Sequence, residues 1–109
     1  IYVHNAHGSL TLENAVIWID ANTPSADTTI AIGLGTSAIN ATEQTVVNES
    51  TAPVTVTFSP PSTKGAGLAI GNLPLGQHKA VWVRRTVTAG AAAVNSDTFS
   101  LRVAGDTAA

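Results

Sequence analysis

The sequence of 109 residues has no cysteine, few aromatic residues and few charges. Without cysteine there can be no disulfide bond, no thiol catalysis and no zinc site with cysteine ligands. Five Lys and Arg and seven Asp and Glu give twelve formal charges, where an average soluble domain of this length carries roughly 27. The basic field of a nucleic-acid-binding protein is therefore missing, and we expect no nucleic acid among the partners.

Long apolar runs are also missing, because none approaches the roughly 18 residues of a membrane span, and we expect no membrane partner. Hydrophobic residues still make up 44% of the chain and aromatic residues only 5%, so the apolar content is mostly Ala, Val, Ile and Leu. The length predicts a single domain over residues 1–109 with about two-thirds of its surface buried. Since Ile1 opens directly into a strand-like pattern, we expect the domain to lack an upstream N-terminal segment.

Short β-branched stretches recur between turn signals, which is typical of an all-β chain. Residues 15–20 are mostly apolar on both alternating faces, and this predicts a central strand covered on both sides. Residues 28–34 alternate large apolar side chains with small ones, and this predicts a half-buried strand. Further strands are predicted at 1–4, 44–48, 54–59, 68–70, 78–88 and 97–103, with Pro60 and Pro61 ending the strand at 54–59.

About seven or eight short strands at a spacing near ten residues, without a convincing helix, predict a single β-sandwich. An immunoglobulin-like and a jelly-roll arrangement are both compatible with this spacing, and the order of the strands stays open. The missing cysteine pair excludes only the antibody version of the immunoglobulin framework. We therefore expect an all-β domain whose two sheets share one core.

Residues that could carry catalysis or bind a metal form no diagnostic pattern. His4 and His7 are three residues apart, a spacing that suits metal ligands on a helix better than on the strand and turn expected here. The chain has no Gly-x-Ser-x-Gly elbow and no recognisable Ser/His/Asp set. Its acidic residues lie mainly in turns, whereas glycoside hydrolysis needs two carboxylates across a cleft. We predict no enzyme activity, no metal and no cofactor.

The two tryptophans, Trp18 and Trp82, are the aromatic candidates for ligand binding. The face of an indole ring can stack on the apolar face of a sugar, which is the basis of many carbohydrate-binding sites. Both residues stand in the middle of apolar strands, however, where tryptophan usually fills a core. Core filling is the favoured interpretation, and a glycan platform at Trp82 or Trp18 is the alternative.

Arg84 and Arg85 are adjacent in a predicted strand, so their side chains should point to opposite faces. One of them should then face inward, unless a bulge intervenes or another chain covers that face. A buried arginine needs a carboxylate or carbonyl partner. One interpretation is an intramolecular pair of Arg84 or Arg85 with Asp20 or Asp97. The other is a contact between subunits of a homo-oligomer.

The distribution of charge is compatible with such a contact. All five basic residues lie from Lys64 onward, and five of the seven acidic residues precede it. A basic strand that carries Lys79, Arg84 and Arg85 could therefore meet an acidic loop of another subunit. The intramolecular pair and the subunit contact both stay open at this point.

A series of segments keeps its order along nearly the whole chain: 7–12 (HGSLTL), 16–20 (VIWID), 22–28 (NTPSADT), 33–36 (GLGT), 42–46 (TEQTV), 76–85 (GQHKAVWVRR) and 101–107 (LRVAGDT). Together these segments resemble a group of small structural proteins of tailed bacteriophages. The resemblance implies a place in the virion and transfers no catalytic residue to this chain. Proteins of this group have a further segment upstream of the position of Ile1.

The resemblance implies a structural function with other virion proteins as partners. Its first form is a head decoration or cement protein, which docks on the major capsid protein, often as a trimer, and stabilises the capsid lattice. A second form is a tail or baseplate component. From a different class, the chain could be a carbohydrate-binding module that engages host glycans through Trp18 or Trp82.

Overall fold

The computed structural model of the chain describes residues 1–107. These residues form strands and loops with one short helical turn, Lys64–Ala66, so the predicted all-β class is confirmed. No helix among them is long and apolar enough to cross a membrane. The described strands are β1 (Tyr2–His4), β2 (Leu12–Ala21), β3 (Thr28–Leu34), β4 (Leu68–Leu73), β5 (His78–Val87) and β6 (Ser100–Thr107).

The six strands form two antiparallel sheets of three strands each. Sheet I has the order β1-β5-β3, and sheet II has the order β4-β2-β6. The central strands are therefore β5 and β2, which are also the longest, with ten residues each. The prediction of a central strand at 15–20 is confirmed.

One apolar core is shared by the two sheets. Ile17 and Ile19 of sheet II belong to the same buried cluster as Ile30 and Ile32 of sheet I. These side chains recur at every second residue, because alternate side chains of a strand point to the same face. Burying one such isoleucine contributes roughly 1.5–3 kcal/mol from the transfer of its side chain out of water. The core therefore accounts for the β-branched alternation that the sequence shows.

The prediction of strands at 44–48 and 54–59 is wrong. The described residues form six strands and not the seven or eight expected. Thr55 has a φ of 65°, which interrupts an extended backbone. The Gln44 side chain also takes the place of a strand neighbour, because its amide donates to Val54 O at 2.8 Å and its Oε1 accepts from Val54 N at 2.9 Å. Within these two predicted segments, Ser59 alone pairs with a strand, through two backbone hydrogen bonds of 2.9 Å with Ile32 of β3.

The loop that replaces these strands covers the outer face of β3. A Cβ atom on Gly33 would lie 2.6 Å from Thr57 O and 2.6 Å from Val56 Cγ1. Only a residue without a side chain allows the loop backbone to approach this closely. The prediction that β3 is half-buried is therefore wrong at Ala31 and Gly33, which are buried, whereas Thr29 on the same face is exposed as expected.

The diproline Pro60-Pro61 passes from one sheet to the other. Ser59 is bonded to Ile32 in sheet I, and Pro61 O accepts a hydrogen bond of 2.7 Å from Ile19 N in sheet II. Both proline rings hold φ near −65° and prevent the segment from folding back. A short and stiff piece of chain thus links the two sheets beside the core.

The remaining boundaries differ from the predictions at their ends. The strand predicted at 78–88 is confirmed as His78–Val87, and the short edge strand at 68–70 extends to Leu73. The last strand runs over Ser100–Thr107 and not over 97–103. Its start is displaced because Asp97 is bound by side chains from other elements.

Candidate functional site

The last four residues of β5, 84–87, are all exposed. Neither arginine is therefore buried, so the expectation of a buried arginine is wrong, although one of the two does lie on the inward-facing side of the sheet as expected. Arg85 stands directly opposite Ile30 of β3, so its side chain points to the same face of the sheet as Ile30, but it lies in the exposed last part of β5. The guanidinium group of Arg85 can therefore reach a partner at the surface.

That partner is Asp97, as one of the two interpretations of the arginine pair predicted. Arg85 Nη2 lies 2.7 Å from Asp97 Oδ2 and donates a second hydrogen bond of 2.5 Å to Asp97 O. Asp97 also accepts from Thr28 Oγ1 at 2.9 Å and from Ser25 N at 3.3 Å. One carboxylate thus ties together β5, the start of β3, the turn before β3 and the loop before β6.

The surroundings of Asp97 favour its charged form. Burial raises the pKa of this carboxyl group, but hydrogen bonds from Arg85, Thr28 and Ser25 and the charge of Arg85 lower it, with a net decrease from its ordinary value. Hydrogen bonds donated to a carboxylate stabilise the ionised state. The pair with Arg85 is therefore ionic at neutral pH.

Arg84 lies over the ring of Phe58, with its Cζ atom 4.7 Å from the ring centroid. This geometry is a cation–π contact, in which the positive guanidinium faces the negative face of the ring. Neither of the two ion pairs in residues 1–107 includes Arg84. Arg84 therefore presents an unneutralised positive charge on a fixed aromatic support.

A cleft of about 510 Å³ lies beside this arginine, and we call it the β5 cleft. One wall is formed by residues 82–87 of β5, and the other by residues 46, 49–53 and 58 of the loop between β3 and the helical turn. Trp82 is half-buried in the first wall, and its Nε1 atom is buried without a hydrogen-bond partner in the described part of the chain. The β5 cleft thus combines apolar side chains with hydroxyl groups, one acidic residue, Glu49, and the two adjacent arginines.

Trp18 occupies a different environment from Trp82. Its side chain is only 7% exposed, on the face of sheet II opposite to Ile17 and Ile19. It stands directly across from Arg102 of β6, whose Nη1 lies 3.7 Å from Asp20 Oδ1. The structure therefore separates the two tryptophans onto different sheets, and Trp82 is the one that lines the β5 cleft.

The Lys79 side chain forms hydrogen bonds within its own chain. Its ammonium group donates to Gly35 O at 3.0 Å and to Ser37 O at 2.5 Å. Lys79 therefore holds the loop after β3, while Arg84 and Arg85 stand about 17–20 Å further along the strand. Of the three basic residues considered for a contact between subunits, the structure leaves Arg84 with the freest charge.

Glu43 is a buried acid that the sequence did not single out. It is 7% exposed, and its Oε1 accepts from Gln44 N at 2.8 Å and from Thr36 Oγ1 at 3.1 Å. Its Oε2 accepts from Ser37 N and Ser37 Oγ at 3.4 Å. Burial raises the pKa of Glu43, but these hydrogen bonds together lower it below the ordinary value. Its position indicates a structural role in closing the loop between β3 and residue 43.

The histidine side chains form hydrogen bonds and ring contacts within the described part of the chain. His7 Nδ1 accepts hydrogen bonds from Ser9 N and Leu10 N at 3.1 and 3.0 Å. The His78 ring packs against Tyr2 edge to face, with centroids 4.8 Å apart. No group of three or more His, Asp or Glu side chains within residues 1–107 is arranged to hold a metal ion.

Phe58 is the member of the site that sequence reasoning missed. It was predicted to belong to a strand, because Val54, Val56 and Phe58 alternate with polar residues. Its role depends on a contact with Arg84, which is distant in the sequence. Comparison of the chain with protein-family models, with curated proteins and with solved structures found no match.

Proposed function

We propose that this chain is a structural protein of a tailed-phage virion, and that it decorates the capsid and stabilises the capsid lattice. The observation that carries the proposal is the exposed end of β5, where Arg84 rests on Phe58 at the rim of the β5 cleft. The resemblance to phage structural proteins supports it, since two of the resembling segments, 16–20 and 76–85, coincide with the central strands β2 and β5.

The finer architecture belongs to the same proposal. We take the two sheets as the halves of a β-sandwich with an immunoglobulin-like or jelly-roll arrangement. The support is the single core cluster to which both sheets contribute. Small sandwiches of this kind offer flat outer faces, which suit docking on a regular lattice.

In the proposed mechanism, the folded chain binds the assembled capsid lattice and the unfolded chain does not. Such binding stabilises both partners by mass action. A surface with few charges has a small desolvation cost when it is covered. Arginine is enriched among the residues that dominate interface energies, so Arg84 is the residue we expect to face an acidic group of the major capsid protein. Arg85 contributes less, because Asp97 already neutralises it.

Binding to undecorated capsids of the parent phage tests the proposal. Purified protein is added to the capsids, and cosedimentation and the thermal disruption of the particles are measured. We expect saturable binding, a raised disruption temperature, and affinity at least about tenfold weaker for Arg84→Ala, as for a central interface residue. Lys64→Ala, an exposed position on the helical turn, should bind like the unmodified protein. Failure to bind capsids would contradict the decoration function.

Two other functions remain as alternatives with their own tests. A tail or baseplate component would appear as density away from the capsid surface in cryo-EM of the parent particle. A carbohydrate-binding module is favoured by the half-buried Trp82 in the β5 cleft. For that function, Trp82→Ala should abolish binding on a glycan array while Trp18→Phe retains it. Glycan binding that survives Trp82→Ala would exclude Trp82 as the platform.

A further inference from the structure

The four edge strands of the described structure differ in how well they are protected. β1 has three residues, and β3 is bonded to Ser59 at Ile32. β4 has six residues, loses register with β2 twice and contains Gly71 with a φ of 87°. β6 has eight residues. Short length, covering segments and bulges are three of the usual devices that protect an edge against pairing with another chain, and β6 has none of these three.

The β6 strand is also regular. Its pairing with β2 has two register shifts, and in both the extra residue lies on β2. In the first, Val16 is three residues beyond Glu13 on β2, whereas their partners Ala104 and Asp106 are only two residues apart on β6. Asn14, with a φ of 50°, marks the first of these bulges. In the described part of the chain, no backbone hydrogen bond other than those with β2 involves residues 100–107. One side of β6 therefore presents unpaired backbone groups along a strand that has no bulge of its own.

The charges on β6 are arranged symmetrically about Ala104. Arg102 and Asp106 lie on the same face, two residues before and two residues after it, and both are exposed. In an antiparallel pair of two β6 strands centred on Ala104, Arg102 of each copy faces Asp106 of the other. A pair centred on Arg102 or on Asp106 would instead place like charges opposite each other, which is unfavourable. The sequence of β6 is thus complementary to itself in one register.

Asp106 lacks a partner for its charge within residues 1–107. Its direct neighbour across the β2 ladder is Glu13, another acid, and neither belongs to an ion pair there. Like charges directly opposite each other destabilise a sheet. Arg102 is available to relieve this repulsion in a second copy, because its contact with Asp20 is long, at 3.7 Å, and the two side chains are 65% and 46% exposed.

We propose that two copies of this chain pair antiparallel through β6 about a two-fold axis at Ala104. The pairing covers residues 101–107 of each copy and joins two copies of sheet II into one six-stranded sheet. It has the isologous symmetry of most homodimers, in which the same patch serves both subunits. A second copy is favoured over a strand of another protein because the charge pattern of β6 matches itself. The inference rests on β6 alone and is independent of the proposed function in the virion.

Charge exchange tests the register of the pair. The dimer dissociation constant is measured by sedimentation equilibrium for the unmodified protein, Arg102→Asp, Asp106→Arg and the double variant. Each single variant places two pairs of like charge opposite each other and should weaken the dimer at least about tenfold. The double variant restores both ion pairs and should return to within about threefold of the unmodified protein. Lys64→Asp makes the same change of charge as Arg102→Asp away from β6 and should leave the dimer unaltered.

Cross-linking tests the position of the axis and does not depend on the charges. The chain has no cysteine, so Ala104→Cys introduces one thiol at the proposed axis, and Ala69→Cys introduces one on the exposed part of β4 as a control. Mild oxidation should give a disulfide-linked dimer for Ala104→Cys only. The proposal is overturned if the unmodified protein is monomeric at about 100 μM, if the double variant is no tighter than the single variants, or if both cysteine variants cross-link equally. Circular dichroism of each variant confirms that it is folded.

Discussion

The guanidinium group of Arg85 and the carboxylate of Asp97 are 2.7 Å apart and join the exposed end of β5 to the loop that precedes β6. The two residues belong to segments on either side of residues 88–96, which form no strand or helix. The pair therefore fixes the position from which β6 begins, as well as the position of the arginines at the rim of the β5 cleft. Both surfaces that we assign to partners depend on it.

The pH dependence of stability should reveal the role of Asp97. Its pKa in the folded chain is lowered, because hydrogen bonds from Arg85, Thr28 and Ser25 outweigh the effect of burial. A lowered folded-state pKa gives stability that is complete above the unfolded-state value of about 3.9 and is lost as the pH falls through the folded-state value. Asp97→Asn should therefore be less stable than the unmodified protein at pH 7, and the difference should shrink below about pH 4. Urea unfolding at both pH values measures this difference.

Asp20→Asn is the matched control for this experiment. The Asp20 carboxylate is 3.7 Å from Arg102 and nearly half exposed, so its ion pair should contribute little. We expect the unfolding curves of Asp20→Asn to follow those of the unmodified protein at both pH values. A difference between Asp97→Asn and the unmodified protein that does not change with pH would contradict an ionic role for Asp97.

Neutralising Glu43 should destabilise the loop after β3. In Glu43→Gln an amide group replaces one carboxylate oxygen, so at least one of the donors from Thr36, Ser37 and Gln44 loses its acceptor. Leaving a buried polar group without its partner costs about 1–3 kcal/mol. Glu49→Gln, at an exposed position, is the control and should unfold like the unmodified protein in urea. Equal stability of the two variants would rule out a structural role for the Glu43 carboxylate.

Gly35 should not tolerate a side chain. A Cβ atom there would overlap the Glu43 carboxylate and lie 2.7 Å from Ala80 Cβ. We expect Gly35→Ala to lower the free energy of unfolding by about 1–3 kcal/mol, the usual cost of overpacking. Gly65→Ala introduces the same methyl group where nothing lies within 4 Å, and it should change stability by less than about 0.5 kcal/mol. Thermal unfolding of both variants measures this difference. An unchanged stability of Gly35→Ala would contradict the prediction and show that the loop carrying Glu43 can move away from the added methyl group.

Thr55→Gly should raise stability. Thr55 is a β-branched residue with a φ of 65°, a conformation that costs an ordinary residue roughly 1–2 kcal/mol. Glycine adopts it without strain, and its larger loss of chain entropy offsets only part of the gain. We expect a net increase of about 0.5–1 kcal/mol in the free energy of unfolding. Thr57→Gly, two residues later and without a positive φ, should lower stability instead. A loss of stability in both variants would contradict strain at Thr55.

The sequence predicted the strands whose alternation reflects burial. The pattern of Ile30, Ile32 and Leu34 marks β3, because these side chains face the core at every second position. The same alternation at Val54, Val56 and Phe58 predicted a strand wrongly. Val54 is 74% exposed, so the alternation there does not arise from a buried face. Alternation alone cannot separate these cases, since the difference lies in the φ angle of Thr55 and in the side-chain bonds of Gln44.

The candidate site was predictable from the sequence only where residues adjacent in a strand must point to opposite faces of the sheet. Because Arg84 and Arg85 are adjacent, the sequence required a partner for one of them and named Asp97 among the candidates. The support of Arg84 by Phe58 depends on a loop that returns to the sheet, and no local pattern encodes that return. The burial of Glu43 likewise depends on donors from Thr36 and Ser37, which the loop brings back to it.

The crossing at Pro60-Pro61 has a mechanical consequence. Ser59 is anchored to one sheet and Pro61 to the other, so sliding one sheet over the other would have to break the hydrogen bonds at one of the two anchors or distort a stiff diproline. Many small β domains obtain this resistance to shear from a covalent link between their sheets. In a chain without cysteine, main-chain hydrogen bonds on either side of one residue, Pro60, provide it instead, and they need no oxidising compartment in which to form.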